Sequence, residues 1–414
     1  MSAVNFNAEA QGLRGWELRR LKSILRPHKI VVGKRCNEYN LLSLSLRGVI
    51  KRDMDNPEGK FPASFETYQE VSPGDFVFCM FDNEETPRAV GLSSLRGMIT
   101  GAYDVMSLID DGVNKDFLNY YFLWVDDGKR LKPLYKGLRK TVPLDSFLVS
   151  KIPLPPLPEQ EAIVKYLDEA TGKIDKSIEA EEKMVALLQE RREIVINEAV
   201  GGGQDFNAET RGRGVRRELP KGWTVCRMKN ILRPKRNLVG KRSCDYDLLS
   251  LTLRGIVKRD MDNPEGKFPS SFDTYQEVLP GDFVFCMFDN EETPRAVGLS
   301  RLHGMITGAY DVMSCIAEGI SPKYLDYLFI YIDDGKRLKP LYRGLRKTVP
   351  LDRFLAMKLT LPPLKHQEAI VKRLDEETGK IDRAIAVKRR QIELLRERRE
   401  ITINEVVTGK VKVA

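Results

Sequence analysis

The chain has 414 residues, 42% hydrophobic and 31% charged, with a net charge of +9. This balance excludes an intrinsically disordered chain, and a length of this order implies about two to four domains. No apolar run approaches the ~18 residues of a membrane span, and the N-terminus lacks the basic and apolar regions of a signal peptide, so a cytoplasmic location is expected.

Cysteines at 36, 79, 226, 244, 286 and 315 form no CxxC pair, and three scattered histidines complete no zinc pattern. Buried free thiols are the expectation. Sliding the chain by 207 positions aligns it on itself without a gap: Trp16 falls on Trp223, Arg47 on Arg254 and Glu161 on Glu368. KRDMDNPEGKFP (Lys51–Pro62), PGDFVFCMFDNEETPRAVGLS (Pro73–Ser93) and GMITGAYDVMS (Gly97–Ser107) are identical in both copies, as is DDGKRLKPLY (Asp126–Tyr135). A repeat this long is two copies of a whole module rather than a solenoid unit. Residues 1–207 carry 28 basic and 31 acidic side chains, net −3, whereas residues 208–414 carry 40 and 28, net +12. Much of the excess lies between the modules (Arg211, Arg213, Arg216, Arg217) and in the last helix, and it favours a polyanionic partner.

Within each copy, about 150 residues read as mixed α/β. LLSLSLRGVI (Leu41–Ile50) alternates with period two over part of its length. DFVFCMF (Asp75–Phe81), RAVGLS (Arg88–Ser93) and YDVMSLI (Tyr103–Ile109) read as further strands. A short helix is expected over Asp116–Trp124, with Phe117, Tyr120, Tyr121 and Trp124 as core. After the rigid run IPLPPLP (Ile152–Pro158) a helical pattern continues to about Val200, with Pro158 in its first turn. Its stripe is Ile174, Ile178, Val185, Leu188, Val195 and Ala199, interrupted by Glu181 and Arg192. The second copy gives Ile381, Ile385, Ile392, Leu395, Thr402 and Val406, interrupted by Lys388 and Arg399. This is coiled-coil spacing, and the nearest partner for each stripe is the other copy's helix, the pair acting as a rigid spacer. Gly201–Gly203 and Gly409 stop the helices. The layout is therefore 1–157, a strand-rich domain; 158–202, its helix; 203–364, a linker and second strand-rich domain; and 365–414, the second helix and tail.

Several segments resemble the specificity subunit of type I restriction-modification systems, and the resemblance covers essentially the whole chain. GWELRRLKSIL (Gly15–Leu25) and ELPKGWTVCRMKNIL (Glu218–Leu232) resemble the family's domain start. LRKTVPLDSFLVSKIPLPPLPEQEAIVKYLDEATGKID (Leu138–Asp175) resembles its junction into the long helix, LPPLKHQEAIVKRLDEETGKID (Leu361–Asp382) repeats it, and EVVTGKV (Glu405–Val411) resembles its C-terminus. The resemblance implies an α+β fold of two α/β target-recognition domains, each followed by a long helix. The two helices would pack as an antiparallel coiled coil with internal two-fold pseudo-symmetry. It implies a non-catalytic subunit that reads a bipartite DNA site. Two methylation subunits would carry S-adenosylmethionine and methylate adenine N6, and two restriction subunits would cleave DNA with ATP and Mg. No cofactor is expected on this chain, in which no GxxxxGK[ST] loop and no DPPY- or NPPF-like tetrapeptide occurs.

Near-identical copies predict an inverted-repeat site, as for dimeric DNA-binding proteins. Base-reading candidates, shared between copies, are Arg47, Lys51, Arg52, Asn83 and Arg88 with Arg254, Lys258, Arg259, Asn290 and Arg295. Tyr103 and Tyr310 are candidates to fill space beside a flipped-out base, or simply core tyrosines. Phosphate candidates are Lys129, Arg130, Lys132, Lys136, Arg139 and Lys140 with Lys336, Arg337, Lys339, Arg343, Arg346 and Lys347. The acidic cluster Asp82, Glu84 and Glu85 is awkward beside DNA. Candidates for binding a protein partner are Glu159, Gln160, Glu190, Arg191, Gln367, Glu397 and Arg398. Competing readings are a related system whose partner fuses nuclease and methyltransferase, a coiled-coil scaffold without DNA binding, and a nuclease. The last rests on Glu58-Gly59-Lys60 and Glu265-Gly266-Lys267, an ExK pattern near Asp53 and Asp55, in what reads as a turn.

Overall fold

A computed structural model describes residues 15–53, 62, 64–201, 219–260 and 271–413. The ExK triplets, Asp55, Gly202, Gly203 and the linker cations Arg211 to Arg217 lie outside these residues. Two compact units emerge, and they do not follow the consecutive layout expected from the sequence. Unit 1 joins Met1–Glu182 to Arg390–Ala414, and unit 2 is Lys183–Arg389.

In unit 1 the strands are β1 (Glu17–Arg20), β2 (Leu25–His28), β3 (Leu42–Ser45), β4 (Gly48–Lys51), β5 (Gln69–Val71), β6 (Phe76–Phe78), β7 (Val90–Leu92), β8 (Gly97–Ile99), β9 (Asp104–Leu108) and β10 (Lys151–Leu154). The helices of the first copy are α1 (Lys115–Asp127), α2 (Leu144–Val149) and α3 (Leu157–Val200). A central antiparallel sheet has the order β2-β9-β6-β7, while β3-β4, β5-β8 and β1-β10 form two-stranded ribbons. Pro27 sits in β2, at the sheet's edge, where a missing N–H costs no ladder bond. Two expectations are corrected here. The stretch Leu41–Ile50 is not one strand but a hairpin, because Leu46-Arg47 forms a two-residue turn that pairs Ser45 with Gly48 at φ +89°. The run after Lys151 is not only a stiff connector: Ile152 to Leu154 pair with β1 and close the domain. Gly97 is required by close approach, since a β-carbon there would run into the carbonyl of Asn40.

α1 begins at Asn114, whose side chain accepts hydrogen bonds from the backbone N–H groups of Asp116 and Phe117. Its aromatic face, Phe117, Tyr120, Tyr121 and Trp124, is buried against β6, α2 and the first turns of α3. Gln160 ties α1 to α3: its Oε1 accepts from Asn114 N at 2.8 Å, and its Nε2 donates to Pro155 O at 2.9 Å. The same core includes Ile403, Val406 and Val407 from the C-terminal helix. That helix end lies antiparallel to α3, with Arg399 on Asp175 at 2.9 Å and Arg396 on Glu182 at 2.8 Å. Trp124 Nε1 donates to Asn404 Oδ1 at 2.6 Å.

In unit 2 the strands are β11 (Thr224–Arg227), β12 (Leu232–Lys235), β13 (Leu249–Thr252), β14 (Gly255–Lys258), β15 (Gln276–Val278), β16 (Asp282–Phe285), β17 (Val297–Leu299), β18 (Gly304–Ile306), β19 (Asp311–Cys315) and β20 (Lys358–Leu361). The helices of the second copy are α4 (Pro322–Asp334), α5 (Leu351–Ala356) and α6 (Leu364–Val407), whose end from Arg390 belongs to unit 1. Sheet orders repeat those of unit 1: β12-β19-β16-β17, β13-β14, β15-β18 and β11-β20. The core again takes in a helix end from the other sequence copy, here Val195, Ile196 and Val200 of α3. Arg192 reaches Asp382 at 2.9 Å, the counterpart of the Arg399–Asp175 pair.

The expected helical stripes are buried or half-buried along both helices. Two of the charged interruptions, Arg192 and Arg399, are half-buried and neutralised by a carboxylate across the helix pair. Each helix thus finds its apolar partner through an exchange of ends between copies.

Candidate nucleic-acid interface

Two hairpin tips per unit carry the exposed candidates. The first is the β3–β4 turn, fixed by Ser45 Oγ, which accepts from Arg47 N at 3.1 Å and donates to Gly48 O at 3.1 Å. It presents Leu46, Arg47 and Lys51 to solvent. In unit 2, Thr252 replaces Ser45 and presents Leu253, Arg254 and Lys258, the last paired with Asp247 at 2.7 Å. Arg52 and Arg259 are half-buried behind these tips.

The second tip is the turn bridged by Lys136 and Thr141, whose backbone groups exchange hydrogen bonds of 2.8 and 3.0 Å. Gly137 at φ +67° and Lys140 at φ +44° reverse the chain. Arg139 O accepts from Asp82 N at 2.7 Å, and the Arg139 guanidinium holds both Asp82 carboxylate oxygens at 3.2 and 2.5 Å. That pair keeps the Asp82 carboxyl below its ordinary range. Arg139 also lies over the Phe81 ring at 4.9 Å, and Phe81 stacks on Tyr103 at 6.0 Å. Lys132 and Lys140 reach Glu84 at 3.1 and 3.7 Å. The awkward acids therefore have a use: Asp82 and Glu84 fix the direction of the cations around the tip. Unit 2 repeats this with Arg346 on Asp289 and over the Phe288 ring, Phe288 beside Tyr310 at 6.0 Å, and Lys339 on Glu291. Lys136, Arg343 and Lys347 are exposed.

Other candidates are corrected. Asn83 is 2% exposed and donates to Cys79 O at 3.0 Å, so its amide has no face left for adenine; Asn290 is equally buried. The Arg88 side chain is 10% exposed and clamped by Asp127 at 2.8 Å and Asp126 at 3.3 Å. Arg295 is held the same way by Asp334 and Asp333. Burial raises the Asp127 and Asp334 carboxyls despite their arginines. Lys129 is spent on Asp126 and Thr86 O, and Lys336 on Asp333 and Thr293 O. Arg130 donates to Trp124 O and stacks on the Trp124 ring, as Arg337 does with Tyr331. These cations and the Asn83 amide are part of the fold's own bonding, while the Asn290 amide nitrogen is buried without a partner among the described residues; all are withdrawn as DNA contacts. Tyr103 and Tyr310 are half-buried, their rings lie beside Phe81 and Phe288, and the backbone carbonyl of each accepts from a buried glutamine, Gln69 or Gln276.

Among the partner candidates, Gln160 and Gln367 are buried clamps between helix and domain, not a docking surface. Glu159 is half-buried and accepts from Trp16 Nε1 at 3.3 Å. Glu190, Arg191, Glu397 and Arg398 remain exposed. Beside them lie exposed apolar residues that charge-based reasoning missed: Leu187 and Ile194 in unit 2, and Leu394 and Ile401 in unit 1. Seven-residue spacing, one position before the seam residues, is the signal that finds them. The sequence reading also passed over Leu138 and Leu345, an apolar residue set in an otherwise cationic turn.

Comparison with known proteins places this geometry. The family described as "Type I restriction modification DNA specificity domain" matches residues 95–183. A provisionally assigned type I restriction enzyme MjaX specificity subunit of Methanocaldococcus jannaschii is 23% identical over 434 residues, covering 96% of this chain and 94% of the relative. The MjaVIII specificity subunit of the same organism is 24% identical over 286 residues, covering 64% of this chain and 62% of its own length. A solved chain from work on complex assembly and conformational transition of a type I R-M system has a TM-score of 0.62 at 12% identity. It covers 96% of this chain and 99% of its own length.

Proposed function

We propose, from the premise that this chain is a specificity subunit of the type I restriction-modification kind, that it reads a bipartite, inverted-repeat DNA site and directs partner subunits to it. One observation carries this reading: the same two cationic hairpin tips, Arg47 with Lys51 and Lys136 with Arg139 and Lys140, recur at equivalent positions in both units. A reader built twice recognises one half-site twice, in opposite orientation. Arg47 and Arg254, long and exposed on narrow turns, have the reach and the paired donors to bind guanine edges, with Lys51 and Lys258 beside them. Lys132, Lys136, Arg139 and Lys140 and their counterparts supply phosphate contacts, which position without reading.

Partner subunits supply the chemistry. Methylation subunits carrying S-adenosylmethionine modify adenine N6, and restriction subunits cut with ATP and Mg. The exposed stripes Leu187–Arg191–Ile194 and Leu394–Arg398–Ile401 suit a helix of the methylation subunit, because three residues on one helix face offer an apolar strip with a charged centre. Sequencing methyl-adenine across the host genome tests the reading. A motif of one short half-site and its inverse, separated by unspecified bases, is expected; unrelated half-sites would remove the duplicated-reader argument.

A further inference from the structure

Leu138 and Leu345 stand apart from the other exposed apolar residues, because both are 100% exposed. Each sits at the tip of the second hairpin of its unit, between a turn glycine and Arg139 or Arg346. A leucine on a slack loop folds back onto apolar surface, since its burial is favourable. Here the turn is anchored on every side. The Lys136–Thr141 bridge closes it, the Asp82 backbone N–H holds the Arg139 carbonyl, and the Arg139 guanidinium is fixed between Asp82 and Phe81. Unit 2 anchors Leu345 with the same set of contacts. The fold therefore holds an apolar side chain outward, where it contributes nothing to the packing of its own unit.

An outward apolar tip flanked by cations has a known physical use on duplex DNA. The cations grip phosphates while the apolar side chain enters between two base pairs, partly unstacking them and bending the helix. A protein surface would also bury a leucine. The cations Lys136, Arg139 and Lys140 around the tip, and the shared hairpin architecture with the Arg47 tip, favour DNA.

We infer that Leu138 and Leu345 are wedges, each entering one base step of a half-site as the hairpins close on the duplex. This rests on the DNA-reading function proposed above. It adds a specificity that needs no hydrogen bond. Pyrimidine–purine steps unstack most easily, so the wedge selects a TA or CA/TG step at its point of entry.

The full chain, with the methylation subunits of its own system, is used to enrich duplexes from a random 40-base-pair pool. 2-Aminopurine is then walked along an enriched duplex. With the wild type, fluorescence is expected to rise several-fold at one pyrimidine–purine step in each half-site. The Leu138→Ala/Leu345→Ala variant is expected to lose that rise and bind about tenfold more weakly, with an unchanged salt dependence, whereas Leu138→Met/Leu345→Met keeps the rise. A thermal melt equal to wild type is expected, because neither leucine packs against anything.

An enriched duplex that shows no unstacking, or unstacking that persists in the alanine variant, overturns the wedge and leaves the reader standing. An alanine variant that binds DNA normally but sheds the methylation subunit overturns it in favour of a protein contact. If the wild type enriches no duplex, the reader falls and the wedge with it.

Discussion

The two units share their exposed tips and their sheets and differ along one helix. Their exposed tips match residue for residue: Leu46-Arg47 against Leu253-Arg254, and Leu138-Arg139-Lys140 against Leu345-Arg346-Lys347. Their helices diverge inside. Phe117, Tyr121, Trp124 and Val125 of α1 stand where α4 has Tyr324, Leu328, Tyr331 and Ile332, all buried. Cores accept exchanges of similar volume at a modest cost, so one architecture tolerates both sets. Each unit still buries a phenol, Tyr121 in one and Tyr324 in the other, and burial raises both. The difference follows the element rather than the exposure. The buried sheet residues Phe76, Val77 and Phe78 recur unchanged as Phe283, Val284 and Phe285, whereas the buried face of the helix has drifted, and the exposed Asn37 and Arg96 stand as Cys244 and His303.

The largest expected effect tests what the units share. Arg88 and Arg295 each neutralise two carboxylates inside their unit, and removing one strands buried negative charge. Arg88→Ala and Arg295→Ala should each destabilise their own unit by roughly 3 kcal/mol, read in chemical or thermal unfolding. The base preference of folded protein should not change. A relaxed preference at one base with normal stability would restore Arg88 as a reader.

A smaller effect separates the units. Asn119 in unit 1 corresponds to Asp326 in unit 2, a half-buried carboxyl that accepts from Leu299 N at 3.3 Å. Burial lifts it from its ordinary 3.8 to about 6, and Arg301, Arg295 and Arg192 oppose the shift only in part. The folded state keeps this proton up to about pH 6, whereas the unfolded chain releases it near 3.8. Between those values the folded form holds more protons, so unit 2 loses stability as pH rises, and the loss is complete above about pH 6. Asp326→Asn should remove this slope and stabilise unit 2 at neutral pH by on the order of 2 kcal/mol. Asn119→Asp should impose the same slope on unit 1. Unfolding followed from pH 4 to 8 distinguishes them, and a slope unaffected by Asp326→Asn would assign the titration elsewhere.

Much of the frame is legible in the sequence, and the reason is physical. The offset of 207 shows the duplication, and the alternation of three- and four-residue steps shows the helices and their seam. Short strands such as β5 and β8 carry only three residues each, too few to build a periodic signal. The site candidates divided for another reason. Arg88 looks like any loop arginine until folding brings Asp126 and Asp127, 38 and 39 residues away, onto it. Gln160 looks like a solvated residue of a first helical turn, yet its partners Gly112 and Asn114 are 48 and 46 residues away. The cations of Lys129–Lys140 stand out as a run in the sequence, whereas the Leu46-Arg47 turn does not, because Leu41–Ile50 reads as one alternating stretch until Ser45 is seen paired with Gly48.

The exchange of helix ends gives the finest test of the comparison. In unit 1, Trp124 Nε1 donates to Asn404 on the incoming end of α6. The counterpart in unit 2 is Asn197 on the incoming end of α3, and its amide makes no side-chain hydrogen bond among the described residues. Asn404→Ala leaves a buried indole N–H without its acceptor and should destabilise unit 1 by about 1–2 kcal/mol. Asn197→Ala removes only half-buried packing and should change unit 2 by a few tenths of a kcal/mol. Unfolding of the two variants side by side measures the difference. Equal losses would mean that both helix ends are held mainly by Ile403, Val406 and Val407 in one unit and Val195, Ile196 and Val200 in the other, with the polar contact adding little to that apolar grip.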